Sequence, residues 1–142
     1  MMIVLDTNVI SEAERPTPSR QVIDWVNQQD EGSLFICDPI VIEQSYGAER
    51  FHARTGSDRY LRALDRLLND RFRGRVLPLD TPAAVMTGRL RARREAIGRP
   101  ISSSDAMIAA ICLAHGATLA TRNVRDFDGL DLKLVNPFEA GA

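Results

Sequence analysis

Five short apolar runs punctuate the chain, at residues 2–5, 34–37, 76–79, 118–120 and 132–135. None is longer than four residues, and those at 2–5 and 34–37 are apolar throughout. Such continuous runs suit strands buried on both faces of a parallel sheet. The stretches between them carry helical signals. Pro16 and Pro18 break a first helical turn over residues 9–14, and Ser19 is placed to cap a helix through Gln29. Asp38 and Pro39 read as the cap and first position of the next helix, which extends to about Arg54. Ser57 begins another that reaches Phe72, with Leu61, Leu64 and Leu68 on its apolar stripe. Asp80, Thr81 and Pro82 start a fourth, ending near Gly98. The segment 105–115 is apolar almost all round, which marks a central buried helix stopped by Gly116. Strands alternating with helices predict an α/β domain with a central parallel sheet of about five strands and helices on both faces.

The chain has 142 residues, 44% of them hydrophobic, and a formal net charge of −1. That excludes a disordered chain and predicts a single domain over 1–142. The longest apolar run, residues 106–114, falls well short of the ~20 residues that span a bilayer. The opening MMIVLD lacks a basic region and a cleavage site, so the expectation is a cytoplasmic protein with no membrane partner. Cys37 and Cys112 lie in apolar stretches without CxxC spacing and are expected to be buried, reduced thiols.

Four places carry acidic chemistry. Asp6 ends the first strand, and open parallel sheets place ligands at the carboxyl ends of their strands. Glu43 lies on the helix after the second strand, Asp105 at the mouth of the apolar helix, and Asn123 and Asp126 follow the fourth strand. If the strands run parallel, all of these segments share one sheet edge. Each acid alone has a structural use: Asp6 as a turn or capping acid, Asp105 against a helix N-terminus, Glu43 beside an arginine. Together they repel unless a cation neutralises them. Oxygen donors without His or Cys suit Mg²⁺, with Mn²⁺ as a substitute, rather than zinc.

The small net charge hides an asymmetry. Residues 1–49 carry a balance of −7, residues 50–99 of +8 and residues 100–142 of −2. Seventeen of the eighteen basic residues are Arg, with Lys133 the exception. The run Arg89, Arg91, Arg93, Arg94 and Arg99 just ahead of Asp105 is suited to tracking an RNA backbone, to a protein partner, or to a solvated helix. His52 and His115 stand outside these groups.

Ile3-Val4-Leu5-Asp6-Thr7-Asn8 resembles the start of PIN-domain ribonucleases, particularly the bacterial VapC toxins and their FitB-like branch. The likeness continues through Glu43, Ser102-Ser103-Ser104-Asp105-Ala106-Met107, Leu119-Ala120-Thr121-Arg122-Asn123 and Asn136-Pro137-Phe138, and spans nearly the whole chain. The resemblance implies a PIN-like three-layer α/β/α domain and a Mg²⁺-dependent endoribonuclease acting on structured RNA such as tRNA or rRNA. It implies Asp6 and Asp105 as metal ligands and Glu43 as a third acid, with Thr7, Asn8 and Ser104 in support. The fourth family position, commonly Asp, falls on Asn123, with Asp126 three residues on. Water would attack phosphorus in line and leave 5′-phosphate and 3′-hydroxyl ends. The implied partners are a small VapB- or FitA-like antitoxin with a DNA-binding N-terminal part and a toxin-wrapping tail, a second copy of the chain, and operator DNA in a larger complex. Trp25 and the helix over 57–72 suit apolar contacts with such partners or packing in the core equally well.

Two other classes fit the same composition. A receiver or phosphatase would need a further acid near Asp6 or at position 8, where Asn8 stands, and no phosphate-binding glycine loop occurs. An inactive PIN-fold module that binds RNA or protein would keep the fold without the metal.

Overall fold

In the computed structural model, which describes residues 1–139, all five apolar runs form strands of one sheet: β1 (Ile3–Leu5), β2 (Leu34–Cys37), β3 (Val76–Leu77), β4 (Thr118–Ala120) and β5 (Lys133–Val135). The order is β3-β2-β1-β4-β5, and every neighbouring pair is parallel. β1 is central and pairs on both sides, Ile3 with Leu34 and with Thr118. The chain first builds outward from β1 through β2 to β3, then crosses over to β4 and β5. The carboxyl ends of β1 and β4 therefore flank the point where the winding reverses, the crevice where such sheets receive ligands.

Six helices accompany the sheet: α1 (Thr7–Ala13), α2 (Arg20–Asn27), α3 (Asp38–Thr55), α4 (Arg59–Arg66), α5 (Thr81–Ala96) and α6 (Ser103–His115). The core joins Val4, Leu5, Ile36, Ile40 and Leu119 to the inner faces of the helices, and α6 supplies Ala106, Ile108, Ala109, Ala110, Ile111 and Cys112. Helix α6 is buried as its uniform hydrophobicity predicts. Gly116 stops it in the left-handed conformation (φ 61°), where an L side chain would strain.

Several boundaries differ from the sequence expectation for local reasons. Helix α1 starts at Thr7, not Val9, because the Asp6 side chain itself takes the first helical amide. Cys37 caps α3, which puts Asp38 one position inside the helix. Asp38 instead accepts the Leu79 amide at 3.0 Å and holds the end of β3 beside α3. Pro78 has no amide to give the sheet, so β3 stops at Leu77. Ser19 caps α2 by position alone; its amide donates to Glu12. Asp58 stands at the cap of α4, and the Ser57 hydroxyl accepts the Arg59 amide. The helix over 57–72 is not continuous: α4 opens into a π-helical turn, Leu67–Arg71, that delivers Phe72 fully buried into the core.

The structure decides one side chain that the sequence left open and corrects another. Trp25, open in sequence to a partner contact or to core packing, is only 8% exposed and belongs to the core. Arg94, placed among RNA-contacting arginines, is 6% exposed. Its guanidinium donates to the carbonyls of Arg99, Asp126 and Asp128, and so ties α5 to the segments before α6 and after β4. A cation engaged with three carbonyls inside the fold cannot also meet a phosphate. Arg89, Arg93 and Arg99 are exposed. Both cysteines are free and buried, and burial pushes both thiols upward, Cys112 to about 12. No helix among the described residues is long and apolar enough to cross a membrane.

Arg94→Met should cost roughly 2–4 kcal/mol, because it strands buried carbonyl acceptors. Arg93→Met, on the exposed face of the same helix, should change stability by less than about 0.5 kcal/mol. Urea unfolding of the two variants measures the difference.

Candidate active site

The site is built from the ends of four elements. Asp6 leaves β1 and its own amide continues the sheet by donating to the Ala120 carbonyl at 2.9 Å. This fixes the loop after β1 against the loop after β4. The Asp6 side chain is 6% exposed and fully engaged. One oxygen accepts the Thr7 amide at 2.8 Å; the other accepts the Thr121 hydroxyl at 2.8 Å and lies 3.5 Å from the Asn8 amide nitrogen. Asn8 also accepts the Arg122 amide and donates to Thr121, so one asparagine clamps both loops.

Glu43 sits in the second turn of α3. Its two oxygens accept the Thr7 hydroxyl, at 2.7 Å, and the Ser104 hydroxyl. Thr7 thus serves two acids at once, Asp6 by its amide and Glu43 by its hydroxyl. Asp105 lies in the first turn of α6, where the Ser102 side chain caps the helix by accepting the Asp105 amide. The remaining member, Asp126, is on the exposed turn after β4 and contributes its charge to Asp105. Asn123 directs its amide to Thr121 and its carbonyl to the Asp126 amide. The backbone of Asn123 therefore braces the loop, while the acid brought to bear on Asp105 comes from Asp126.

The electrostatics follow from this crowding. Burial pushes the Asp6 carboxyl above its ordinary value, and the Glu43 charge pushes in the same direction against the bonds from Thr121 and Thr7. Burial also raises Asp105, reinforced by Asp6, Asp126 and Glu43, with the Ser102 hydroxyl opposing. Among the described residues, no arginine, lysine or histidine pairs with Asp6, Glu43, Asp105 or Asp126. Nor do any three such ligating side chains already close on one point; the hydroxyls of Thr7 and Ser104 hold Glu43 in place. The cluster is a set of hard oxygen donors with mutual repulsion and no protein cation. The chemistry of that donor set would suit a hard divalent cation such as Mg²⁺ rather than zinc, and Asp6, Asp105 and Glu43 are the residues that could hold it.

Comparison with known proteins agrees with the geometry. The PIN domain family matches residues 3–132. This chain belongs to the PIN-domain family. It is 37% identical over 139 residues to the plasmid stability protein StbB of Pseudomonas syringae pv. tomato, covering 98% of this chain and all of that one. The toxin FitB of Neisseria gonorrhoeae is 31% identical, with 96% of this chain and 99% of that one covered. The structure of FitAB bound to a DNA fragment contains a chain that superposes with a TM-score of 0.87 at 30% identity, over 99% of both chains.

Within this PIN domain the sequence reading missed the part played by Thr121. It is completely buried, donates to Asp6 and accepts the Asn123 amide. Its signal lay in the register: Leu5 pairs with Ala120, so the next residue on each strand must meet at the sheet edge. Polar residues at both positions, just past two apolar strands, mark them as partners.

The raised carboxyls carry a definite sign for stability. A carboxyl whose folded pKa exceeds its unfolded value binds protons more tightly when folded, so stability falls as pH rises through that interval. The interval here begins near the ordinary value of 3.8 and runs upward. In chelator, Asp105→Asn should therefore have a higher Tm than the parent chain at pH 7, and the gap should close as the pH is lowered toward 4. Thermal unfolding across that range measures it.

Proposed function

We propose that this chain is a Mg²⁺-dependent endoribonuclease, the toxin of a VapBC-type toxin–antitoxin module, and that it hydrolyses phosphodiester bonds in structured RNA such as tRNA or rRNA. The observation that carries the reading is the uncompensated group of Asp6, Glu43 and Asp105 at the crevice between β1 and β4. Relatives support the class: a protein of Sinorhizobium fredii named VapC ribonuclease is 35% identical over 97% of this chain, and a tRNA(fMet)-specific endonuclease VapC of Shigella flexneri is 30% identical over 90%.

A bound divalent cation would supply Lewis-acid polarisation of the scissile phosphate and of the attacking water. The residues of the chain provide the rest. Asp6 and Asp105 would hold the ion from two elements distant in sequence. Thr121 and the Thr7 amide fix the orientation of Asp6, as the groups behind the ligands of a metal site do. Thr7 and Ser104 keep Glu43 facing the same crevice. A bond forms between the water oxygen and phosphorus while the bond from phosphorus to the 3′ oxygen breaks, which leaves a 5′-phosphate and a 3′-hydroxyl. No histidine is required: His115 is at the far end of α6 and His52 is exposed on α3.

The partner assigned by the same reading is a small antitoxin of the VapB or FitA kind, with a second copy of the toxin and operator DNA in the full assembly. Solved relatives support this part of the proposal, among them FitAB on DNA and VapBC-1 of nontypeable Haemophilus influenzae, the latter at 27% identity with a TM-score of 0.78.

Purified protein incubated with total RNA should cut it in Mg²⁺ and stop in EDTA, with 5′-phosphate ends on the products. Asp6→Asn and Asp105→Asn should each lower cleavage by about 10²-fold or more while remaining folded. Thr121→Ala, which removes only a positioning bond, should lose roughly 10–100-fold. Full turnover in either Asp variant would remove the proposed site.

A further inference from the structure

A groove of about 710 Å³ leads away from the acid cluster. Its inner end is formed by Thr7, Asn8 and Glu43, and it runs between α1 and the length of α3 to α4. Glu43, Gly47, Arg50 and Arg54 line it at helical spacings of four, three and four residues, so they occupy one face of α3. At about 1.5 Å of rise per residue, Arg54 stands roughly 16 Å from Glu43 along the helix.

Three arginines dominate the outer end. Arg50 lies over the Tyr46 ring at 5.4 Å, Arg54 over Phe51 at 5.8 Å and Arg59 over Tyr60 at 5.4 Å. Phe51 and Tyr60 meet edge to face at 4.8 Å, which joins Arg54, Phe51, Tyr60 and Arg59 into one run of contacts across α3 and α4. Among the described residues none of these arginines is paired with an acid. On the opposite wall Glu12 pairs with Arg15 and Arg122, while burial pushes the Glu14 carboxyl above its ordinary value with the Arg71 and Arg66 charges opposing. Along the α3 and α4 wall, the charged residues beyond Glu43 are Arg50, Arg54 and Arg59, all basic.

Gly47 adds an independent feature. It sits mid-helix, where glycine costs about 1 kcal/mol relative to alanine. A Cβ built there would meet nothing within 4 Å, so packing does not demand glycine. What the missing side chain provides is a bare floor halfway along the groove.

We infer that this groove between α1, α3 and α4 is the track for a single-stranded segment of the structured RNA, with Arg50, Arg54 and Arg59 on its phosphates, Tyr60 and Phe51 as aromatic contacts for its bases, and Gly47 leaving room for the strand to reach the acids. Unpaired guanidiniums interleaved with aromatic rings are the combination that binds a single strand without reading its sequence. The inference rests on the nuclease reading and puts the RNA-binding face on α3 and α4, in place of the arginine stretch 89–99 that the sequence offered as one candidate.

The test is fluorescence anisotropy of a labelled single-stranded RNA oligomer on the full chain in EDTA, repeated over a series of salt concentrations. The triple variant Arg50→Ala, Arg54→Ala, Arg59→Ala should bind at least tenfold more weakly. Its slope of log K against log salt should be shallower by about 2, at about 0.7 for each phosphate no longer neutralised. An equal-charge comparison, Arg20→Ala, Arg73→Ala, Lys133→Ala, should keep the parent slope. Gly47→Leu should match or exceed the parent Tm yet lose at least tenfold in RNA affinity. Unchanged affinity in both groove variants, or dependence on Arg89, Arg93 and Arg99 instead, would overturn the assignment. So would groove variants that lose a protein partner while holding RNA normally. RNA held through these arginines but left uncut in Mg²⁺ would keep the groove and remove the nuclease reading; cutting that ignores them would do the reverse.

Discussion

Repulsion among carboxylates that the protein itself does not neutralise is the constraint from which the rest of this structure follows. Asp6 and Asp105 belong to segments almost a hundred residues apart, yet both are raised by burial and by the negative charges around them. Such an arrangement lowers the stability of the fold, and only a scaffold that over-determines each acid can hold it. The parallel sheet does this by ending β1 and β4 side by side and seating the N-termini of α1 and α6 against that edge. Helix N-termini favour negative charge, which offsets part of the cost without supplying a counter-ion.

Hydroxyls and amides perform the positioning. Thr7, Thr121 and Ser104 each donate to an acid, and Asn8 binds the two loops that carry Asp6 and Thr121. These are neutral donors: they orient carboxylates and leave their charge in place. Arginines near the cluster are turned to other partners. Arg122 pairs with Glu12 and covers the Phe138 ring at 3.7 Å, and Arg94 is held by backbone carbonyls. Of the thirteen arginines in residues 50–99, Arg50, Arg54 and Arg59 line the groove that leads from the crevice.

Much of this was legible in the chain. The apolar runs at 2–5 and 34–37 specified parallel strands, because both faces of such strands must be buried, and the family signature at Asp6, Asp105 and Asn123 marked the order of the site segments. What sequence could not weigh was three-dimensional pairing. Arg94 reads like its neighbours Arg93 and Arg91, and only the fold shows it meeting the Asp126 and Asp128 carbonyls. Thr121 looks like a polar loop residue until strand register sets it beside Asp6. The break after α4 was equally hidden, since Phe72 keeps helical period with Leu68 while the backbone widens beneath it.

Titration of the Asp6 and Asp105 side-chain carboxyl carbons, followed by NMR first in chelator and then with saturating Mg²⁺, tests the shared-cation claim most directly. Both groups should titrate above 3.8 without the ion, and both should move to distinctly lower pH when it is present, since a bound cation favours the charged form. Ordinary titration of both carboxyls, unmoved by Mg²⁺, would show that no cation is shared between them.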